Sequence, residues 1–364
     1  MYQPKFQITN NLLTYVSRIE AAKTVIEQAA LVPAWEAKFR DDALTRTVHF
    51  GTKIEGNDLT EQQAQQVARL EGAMDPETVT AQTGIIARDR DIQEVINYRN
   101  VVKWIDNWQD YVGNQDVFSA EILKTLHSLT MKGLLEVEYI GEFRDKQVIV
   151  KSATDGRIVF RPPVFVEVPF LIGDFFDWLN SPQTKQAIHP VFQAAITHYQ
   201  LVFIHPFIEG NGRTARAMAT LVLYVLGYDF KRFFSLEQYF DSNVENYYQA
   251  LLSVQQNRHD LTYWLEYFCY GLAIEIEKVK DQVLKLSQDL KLKKQLGQQV
   301  ALSERQIILL ELLQQQGSIT SYDAQKVLPH ISVDTILRDL KDLIHKGVIK
   351  KHGVTKGVRY SLAE

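Results

Sequence analysis

The chain has 364 residues, which at roughly 150 residues per domain predicts two or three folded units. With 46% hydrophobic and 23% charged residues, it has the composition of an ordinary globular protein, which excludes collagen-like, low-complexity and wholly disordered classes. The 40 Lys and Arg residues against 44 Asp and Glu give a net charge of -4, which excludes a generic polyanion binder but is compatible with a local basic patch.

Two features bear on the location of the protein. The first residues lack an apolar secretory segment, and the longest nearly apolar stretch, residues 217–228, is shorter than the about 20 residues that cross a bilayer. The single cysteine, Cys269, lies in an aromatic run and is expected to be a buried core thiol, because alone it forms no intrachain disulfide or zinc site. We expect a cytoplasmic, soluble protein with no membrane partner.

Helical patterns dominate the first part of the chain. Residues 12–70 have helical spacing with breaks at Pro33 and at residues 56–58, and Thr60 then opens a capping box. A polar stretch, residues 73–83, is predicted to be a loop. Helical spacing resumes in two further segments, residues 89–108 and 119–131.

The one clear β signal lies between residues 147 and 160. Two runs of β-branched and aromatic residues, 148–150 and 158–160, flank the pair Asp155-Gly156. This pair is favoured in hairpin turns, so the pattern predicts a β-hairpin.

The rest of the chain is predicted to be helical apart from its end. A long polar helical segment, residues 261–298, is predicted to link two domains. In residues 303–364, three capped helical segments are followed by two short strands around Gly353 and Gly357, which is the layout of a winged helix-turn-helix. The fold is therefore predicted to be mainly α. The predicted domains are a helical N-terminal arm, a helical central domain, a helical linker and the winged helix, at residues 1–88, 89–270, 271–300 and 301–364.

The segment HPFIEGNGRTAR, residues 205–216, is the sharpest feature of the sequence. It follows an apolar segment and leads into a helix, so it forms a loop at a helix N-terminus. Gly210, Asn211 and Gly212 let successive backbone N–H groups converge into an anion-binding nest at the positive end of the helix dipole.

The charged residues of this segment suit a polyphosphate. Arg213 and Arg216 lie on nearly one helix face and can bind several phosphates. Glu209 is the one acid among these donors, and Mg²⁺ held by a carboxylate and phosphates would relieve its repulsion. His205, with an ordinary pKa of about 6.5, can accept a proton from an attacking hydroxyl at neutral pH. A lone histidine before a proline, or a lone Gly-x-Gly, is typical of a turn. The combination of His205, the glycines and the two arginines within twelve positions predicts a catalytic site.

The same residues resemble the motif of the Fic family, His-Pro-Phe-x-Asp/Glu-Gly-Asn-Gly-Arg-x-x-Arg, without a departure. The resemblance extends over roughly residues 45–268 and implies a helical Fic fold that transfers the AMP part of ATP to a Tyr, Ser or Thr hydroxyl of a protein. Carried over by position, His205 would be the general base and Glu209 the Mg²⁺ ligand. The α- and β-phosphates would be held by Gly210, Asn211 and Gly212, and the β- and γ-phosphates by Arg213 and Arg216. The same ATP-binding segment includes Thr214 and Ala215.

Two downstream helical residues match further family positions. Tyr247 matches a tyrosine that lines the adenosine pocket, and Gln255 falls where the family often has an amide side chain. Ordinary helix packing is the alternative interpretation for both.

The predicted hairpin resembles the Fic flap. Residues 141–144 followed by Gln147, Val148, Ile149 and Val150 are similar to the segment that leads into it. A flap strand with unpaired backbone groups can bind a target segment as an added strand and place its hydroxyl next to His205. Lys151 and Ser152 stand where many relatives have small residues, so the contact of the flap with the nucleotide departs from the family pattern.

Glu55 ends a helix that begins near residues 35–36. A glutamate there opposes the helix dipole by about 0.3–1 kcal/mol, and a solvated surface residue is the plain interpretation. The alternative is a resemblance to the inhibitory motif of Fic proteins, Ser/Thr-x-x-x-Glu-Gly/Asn, in which Glu55 and Gly56 match and Gly51 stands at the Ser/Thr position. The resemblance implies that Glu55 pairs with Arg216, takes the space of the γ-phosphate and makes the chain self-inhibited.

The winged helix leaves two interpretations open. Residues 350–359 hold several basic side chains and no acid, so this wing can follow a phosphate backbone. Asp334, Asp339 and Asp342 dilute the charge of the third helix, and winged helices also mediate protein contacts. DNA binding, protein contact and a homodimer all stay open.

The favoured hypothesis is a protein adenylyltransferase that uses Mg²⁺ and ATP on a protein target, which can be the chain itself. The same site could instead use another nucleotide or remove AMP. The chain could also be a DNA-binding regulator whose Fic domain only senses nucleotide. His205 favours the enzyme, because a sensor needs no base.

Overall fold

The computed structural model describes residues 2–29, 31–70, 72, 75–108, 118–151, 156–295, 302–329, 331–353 and 358–363. The chain divides into two compact units, Met1–Ser287 and Gln288–Glu364. The predicted domain boundaries at residues 88 and 270 fall inside the first unit.

The first unit is mainly α, as predicted. Its helices are α1 (Asn10–Gln28), α2 (Pro33–Lys53), α3 (Glu61–Arg69), α4 (Pro76–Thr83), α5 (Asp89–Asp106), α6 (Ala120–Met131), α7 (Val168–Asn180), α8 (Pro182–Ala187), α9 (Pro190–Ile204), α10 (Asn211–Val225), α11 (Leu236–Ser242), α12 (Val244–Gln256) and α13 (Thr262–Gln295), which continues past residue 287. The predicted capping box is present at the start of α3, where Thr60 and Gln63 bond reciprocally.

The prediction of a loop over residues 73–83 was wrong for its second half. Asp75 accepts a hydrogen bond from the N–H of Thr78, and Pro76 occupies the first position of α4. Proline is well suited to that position, because the N–H it lacks would have no partner in the helix. For the same reason α2 begins at Pro33, slightly before the predicted start. Residues 73–74 lie outside the described residues.

The hairpin is present but shorter than predicted. Strands β1 (Val150–Lys151) and β2 (Ile158–Phe160) pair antiparallel, with an irregularity after the first residue pair. Residues 148–149 lie outside β1, and there the side-chain amide of Gln147 donates to the carbonyls of Val148 and Pro162. In the predicted turn, Gly156 has a φ of 68°, which glycine readily adopts. Asp155 and Ser152 lie outside the described residues.

The helices α9 and α10 pack against each other at the centre of the first unit. Most side chains of both helices are buried, and Cys269 lies fully buried in the same core, as predicted. The helix α2 packs on α3, α5 and α11, which buries Gly51 and Thr52 near its C-terminal end. In the described part of the chain, no helix is both long and apolar enough to cross a membrane.

The second unit has the predicted winged-helix elements. Its helices are α14 (Glu304–Gln316), α15 (Ser321–Val327) and α16 (Val333–His345), and its strands are β3 (Ser318–Ile319), β4 (Ile349–His352) and β5 (Arg359–Leu362). The strand β3 was not predicted; it pairs with β5, so the sheet order is β3-β5-β4. The unit has its own apolar core around Leu313, Ile336 and Leu340. Lys356 and Gly357 of the predicted wing lie outside the described residues.

Candidate active site

The segment 205–216 forms a closed loop between α9 and α10. The side chain of Asn211 accepts a hydrogen bond from the N–H of Phe207 and donates one to its carbonyl, both at 2.9 Å. Gly210 precedes α10 with a φ of 76°, and a Cβ there would lie 2.4 Å from Met131 Sδ. Both the backbone conformation and the close approach therefore require glycine.

The start of α10 offers backbone donors. Thr214 donates the first hydrogen bond of the helix, to the carbonyl of Gly210. The N–H groups of Asn211, Gly212 and Arg213 precede that bond, and such groups at a helix start have no partner within the helix. The local sequence thus provides the helix-start N–H groups on which the predicted anion-binding nest depends, and anion binding itself stays a prediction.

Glu55 lies directly against this helix start. A Cβ on Gly212 would be 2.4 Å from Glu55 Oε1, and Nη2 of Arg216 donates to the same oxygen at 2.8 Å. Burial would raise the pKa of Glu55, but the charges of Arg216 and Arg213 outweigh it and lower that pKa below its ordinary value. The carboxylate is therefore ionised, and it pairs with Arg216 as the resemblance to the inhibitory motif implied.

The departure from the inhibitory motif at Gly51 has a steric reason. A Cβ on Gly51 would lie 2.3 Å from Cε1 of Tyr98, and that ring is fixed by its hydroxyl, which donates to Glu237 at 3.0 Å. The carbonyl of Gly51 accepts a second hydrogen bond from Nη2 of Arg216, at 2.8 Å. The guanidinium of Arg216 is thus held between Gly51 and Glu55.

The helix α5 brings charged residues to the site that sequence analysis missed. Glu94 is buried, and its Oε1 lies 3.2 Å from Nη1 of Arg213. Asn57 donates to the other oxygen of Glu94 at 3.0 Å. Arg90 pairs with both Glu94 and Glu209. The only sequence signal was the spacing of Arg90 and Glu94 by one helical turn, which places both on one face.

His205 has the protonation pattern of a base. Its Nδ1 lies 3.2 Å from the carbonyl of Val202; because a carbonyl only accepts, Nδ1 carries the proton and Nε2 is the acceptor. Burial is the main cause of its lowered pKa, and the charge of Arg144 acts in the same direction. The half-buried imidazole is therefore neutral at pH 7, and its backbone has a left-handed φ of 51°.

Arg144 connects His205 to the hairpin. Its Nε donates to the carbonyl of His205 at 2.8 Å, and its two terminal nitrogens donate to the carbonyls of Lys146 and Pro163. Lys146 precedes β1 and Pro163 follows β2. One buried side chain therefore fixes the backbone of the predicted base and both ends of the flap segment.

His127 is a second site residue that the sequence did not reveal. Its Nδ1 accepts from the N–H of Gly141 at 2.9 Å, and its Nε2 donates to the carbonyl of Glu209 at 3.0 Å. Its ring stacks on Phe207 with centroids 3.8 Å apart. Burial lowers its pKa to about 4, so the neutral imidazole supports the motif loop.

The remaining predicted nucleotide residues are spread more widely. Thr214 and Ala215 are buried in α10. Tyr247 is also buried, with its hydroxyl 2.8 Å from Nε2 of His198, which is the packing role considered for it. Its neighbour Tyr248 is 44% exposed. The roles of these residues toward ATP stay predictions.

Gln255 faces the flap across a groove of about 500 Å³. The groove is also lined by Phe203, His259 and residues 158–161, which include all of β2. On the flap itself, Ile149, Ile158 and Val159 are each more than two fifths exposed. The hairpin thus presents an apolar surface outside the closed motif loop.

Two family models match the sequence. Residues 117–223 match the Fic/DOC family, and residues 305–356 match the DeoR-like helix-turn-helix domain. The protein adenylyltransferase Fic of Drosophila willistoni is 30% identical over 227 residues, 61% of this chain and 41% of that protein. Its counterpart in Drosophila grimshawi is 32% identical over 192 residues, 52% of this chain and 35% of that protein. The chain therefore spans about two fifths or less of the length of these relatives.

Solved structures show the same fold. A Fic family protein from Desulfovibrio desulfuricans superposes with a TM-score of 0.63 at 23% identity, over 99% of this chain and 98% of that chain. Fic-1 from C. elegans gives a TM-score of 0.56 at 22% identity, over 74% and 72%. These identities support the fold alone. The chain thus carries a Fic/DOC family domain in a mainly α fold, followed by a DeoR-like helix-turn-helix domain.

Proposed function

We propose that the chain is a protein adenylyltransferase that moves AMP from ATP to a Tyr, Ser or Thr hydroxyl of a protein target. One observation carries the proposal: Nδ1 of His205 lies on the carbonyl of Val202, which leaves Nε2 as the acceptor, and His205 begins the closed loop that leads into α10. The relatives at 30% and 32% identity, which are named protein adenylyltransferases, support the same reaction.

The residues divide the reaction between them. Nε2 of His205 accepts the proton of the attacking hydroxyl; the new O–P bond forms at the α-phosphorus and the bond to pyrophosphate breaks. The N–H groups of Gly212 and its neighbours, with Arg213 and Arg216, stabilise the charge on the phosphates.

Glu209 suits the predicted Mg²⁺. Its carboxylate is 40% exposed and already pairs with a cation, Arg90. An oxygen donor of this kind, together with phosphate oxygens, matches the preference of Mg²⁺. When bound, Mg²⁺ would neutralise part of the negative charge on the leaving pyrophosphate.

Glu55 is proposed to inhibit the enzyme in its resting state. Its carboxylate lies against Gly212 and on Arg216, which are the groups that a triphosphate would use. Two anions cannot share these donors, so a triphosphate must bind with its γ-phosphate displaced. A displaced γ-phosphate turns the α-phosphorus out of line with the incoming hydroxyl, and misalignment of this kind raises the barrier.

Nucleotides labelled at defined phosphates test the proposed reaction. The protein is incubated with ATP labelled at the α-phosphate or at the γ-phosphate, and then with GTP, UTP and CTP labelled at the α-phosphate. We expect protein-bound label only from the α-position, located by mass spectrometry on a hydroxyl side chain. Transfer from the γ-position would identify a kinase instead, and release of AMP from a modified target would indicate hydrolytic removal of AMP.

DNA binding by the winged helix is a second candidate function. The DeoR-like match supports this function, and so does the charge on the exposed face of α16. Asp339 is buried and pairs with Arg305 of α14 at 2.8 Å, so it does not add negative charge to that face. Arg338 and Lys341 are exposed on the same helix. We expect binding to duplex DNA that weakens steeply with salt and falls when Arg338 and Lys341 are both changed to Ala. Unchanged binding would favour protein contact.

A further inference from the structure

Arg90 lies between two acids of the site. Its Nη2 pairs with Oε1 of Glu209, and its Nε lies 3.3 Å from Oε1 of Glu94. The two acids differ in setting: the side chain of Glu209 is 40% exposed, whereas that of Glu94 is 6% exposed. Arg90 itself is 49% exposed, so it has room to move at the Glu209 side.

We propose that Arg90 is a cationic plug on the metal-binding carboxylate. It occupies Glu209 in the absence of metal, and it must release Glu209 before that carboxylate can hold Mg²⁺ beside a nucleotide. This inference rests on the proposed function, since it assumes that Glu209 is the Mg²⁺ ligand. The Mg²⁺ concentration that the site requires would then depend on Arg90, which lies on α5 and outside the motif loop.

Arg90 can release Glu209 and still pair with a carboxylate, because Glu94 is its second partner. Glu94 is held in place by Asn57 at 3.0 Å and by Arg213 at 3.2 Å, so it stays where it is when Arg90 turns away from Glu209. Arg90 is already within 3.3 Å of Glu94. The exchange therefore leaves neither the arginine nor Glu94 unpaired.

The exposure of the pair makes the plug weak. Ion pairs between half-exposed side chains change an equilibrium by about twofold to fivefold. A divalent ion that also binds phosphate oxygens can overcome such a contact. The pair of Arg216 and Glu55 is different, because the side chain of Arg216 is only 2% exposed.

A phosphate-binding role for Arg90 predicts the opposite behaviour. If Arg90 held a nucleotide phosphate, its loss would weaken nucleotide binding with or without metal. If it plugs Glu209, its loss should strengthen binding only when Mg²⁺ is present. The sign of the change therefore separates the two roles.

The test measures ADP binding to the full chain by calorimetry over a series of Mg²⁺ concentrations. ADP lacks the γ-phosphate whose space Glu55 is proposed to take, and Glu55 is the same in every variant, so its contact with Gly212 affects all of them alike. We expect Arg90→Gln to lower the Mg²⁺ concentration for half-maximal effect by about twofold to fivefold, with unchanged ADP affinity in the absence of Mg²⁺. Arg90→Lys keeps the charge and should resemble the wild type. Arg69→Gln is the matched control, since Arg69 is equally exposed and pairs with Asp41 and Asp42 instead.

A further variant, Glu209→Gln, should remove the response of ADP binding to Mg²⁺; a retained response would overturn the proposal. So would an unchanged Mg²⁺ series for Arg90→Gln, or weaker ADP binding by that variant without Mg²⁺. If the wild type binds ADP with Mg²⁺ but Arg90→Gln behaves identically, only the plug is contradicted. If the wild type binds no ADP at any Mg²⁺ concentration, the proposed function fails as well. Thermal unfolding of each variant checks that the fold is intact.

Discussion

The motif loop and the flap hairpin differ in how firmly each is held. In the loop, Asn211 closes the backbone, His127 bonds to the carbonyl of Glu209, and Arg144 bonds to that of His205. In the hairpin, strands of two and three residues present exposed Ile and Val side chains. Under the proposed function, the groups for phosphate chemistry would be positioned in advance, whereas the flap surface would be left for a protein partner to cover.

The largest expected effect on AMP transfer comes from a comparison of two histidines with similar backbone conformations. His205 in the loop and His259 at the flap groove have left-handed φ values of 51° and 61°, so replacement by Ala changes both backbones alike. We expect His205→Ala to lower AMP transfer by about 10²- to 10⁴-fold with ADP binding unchanged. His259→Ala should change KM for the target more than kcat. Equal losses in both variants would break the distinction between loop and flap.

Two glycines allow the same comparison for stability. Gly210 and Gly156 have φ values of 76° and 68°, but a Cβ meets Met131 only at Gly210, and none of the described residues lies within 4 Å of one at Gly156. A left-handed Ala costs about 1–2 kcal/mol, and overpacking adds about 1–3 kcal/mol. Chemical denaturation should therefore show a loss of about 2–5 kcal/mol for Gly210→Ala and about 1–2 kcal/mol for Gly156→Ala. Similar losses would show that Met131 moves aside.

Acid should loosen the motif loop through His127. Its pKa falls from 6.5 to about 4 in the fold, so the unfolded chain binds more protons between these values. The stability that His127 contributes is complete above pH 6.5 and is lost as the pH falls toward 4, by at most about 3 kcal/mol. Unfolding free energies of His127→Gln should vary less over this range. Hydrogen exchange should accelerate at the Gly141 amide, which loses its acceptor; an equally steep profile in the variant would contradict this role.

The smallest expected effect on stability lies on the flap. Ile149 is 41% exposed, so Ile149→Asp should change the unfolding free energy by less than about 0.5 kcal/mol. It should nevertheless raise KM for the protein target by about tenfold, because a charge would replace apolar contact with the partner. Ile86→Asp is the matched control, since Ile86 is 92% exposed on the same unit. Equal KM values for both variants would show that the target does not use the flap.

The sequence revealed features that depend on neighbouring residues, and one distant pair that the family resemblance implied. The capping box at Thr60, the helix start at Asn211 and the pairing of Glu55 with Arg216 were predicted and are present. The first two follow from local hydrogen bonding, and the pair from the resemblance to an inhibitory motif. The short strand β3 was missed because two residues carry no periodicity.

Contacts between distant segments that no family motif implied could not be predicted. Arg90 and Glu94 belong to the site because they pair with Glu209 and Arg213, which lie more than a hundred residues further along the chain. Gly51 appeared to weaken the inhibitory motif, but Tyr98 occupies the space that a side chain there would need. Such relations arise from packing, which a single sequence does not display.

The central claim is that Glu55 withholds Arg216 from the nucleotide. The direct measurement compares initial rates of AMP transfer at saturating Mg²⁺ and ATP for the wild type, Glu55→Gly, Arg216→Ala and the double variant. We expect Glu55→Gly to exceed the wild type by at least about tenfold, because an aligned triphosphate recovers part of the barrier lost to misorientation. Arg216→Ala should lower the rate even in the Glu55→Gly background. Equal rates for the wild type and Glu55→Gly, with unchanged circular dichroism spectra, would contradict the claim.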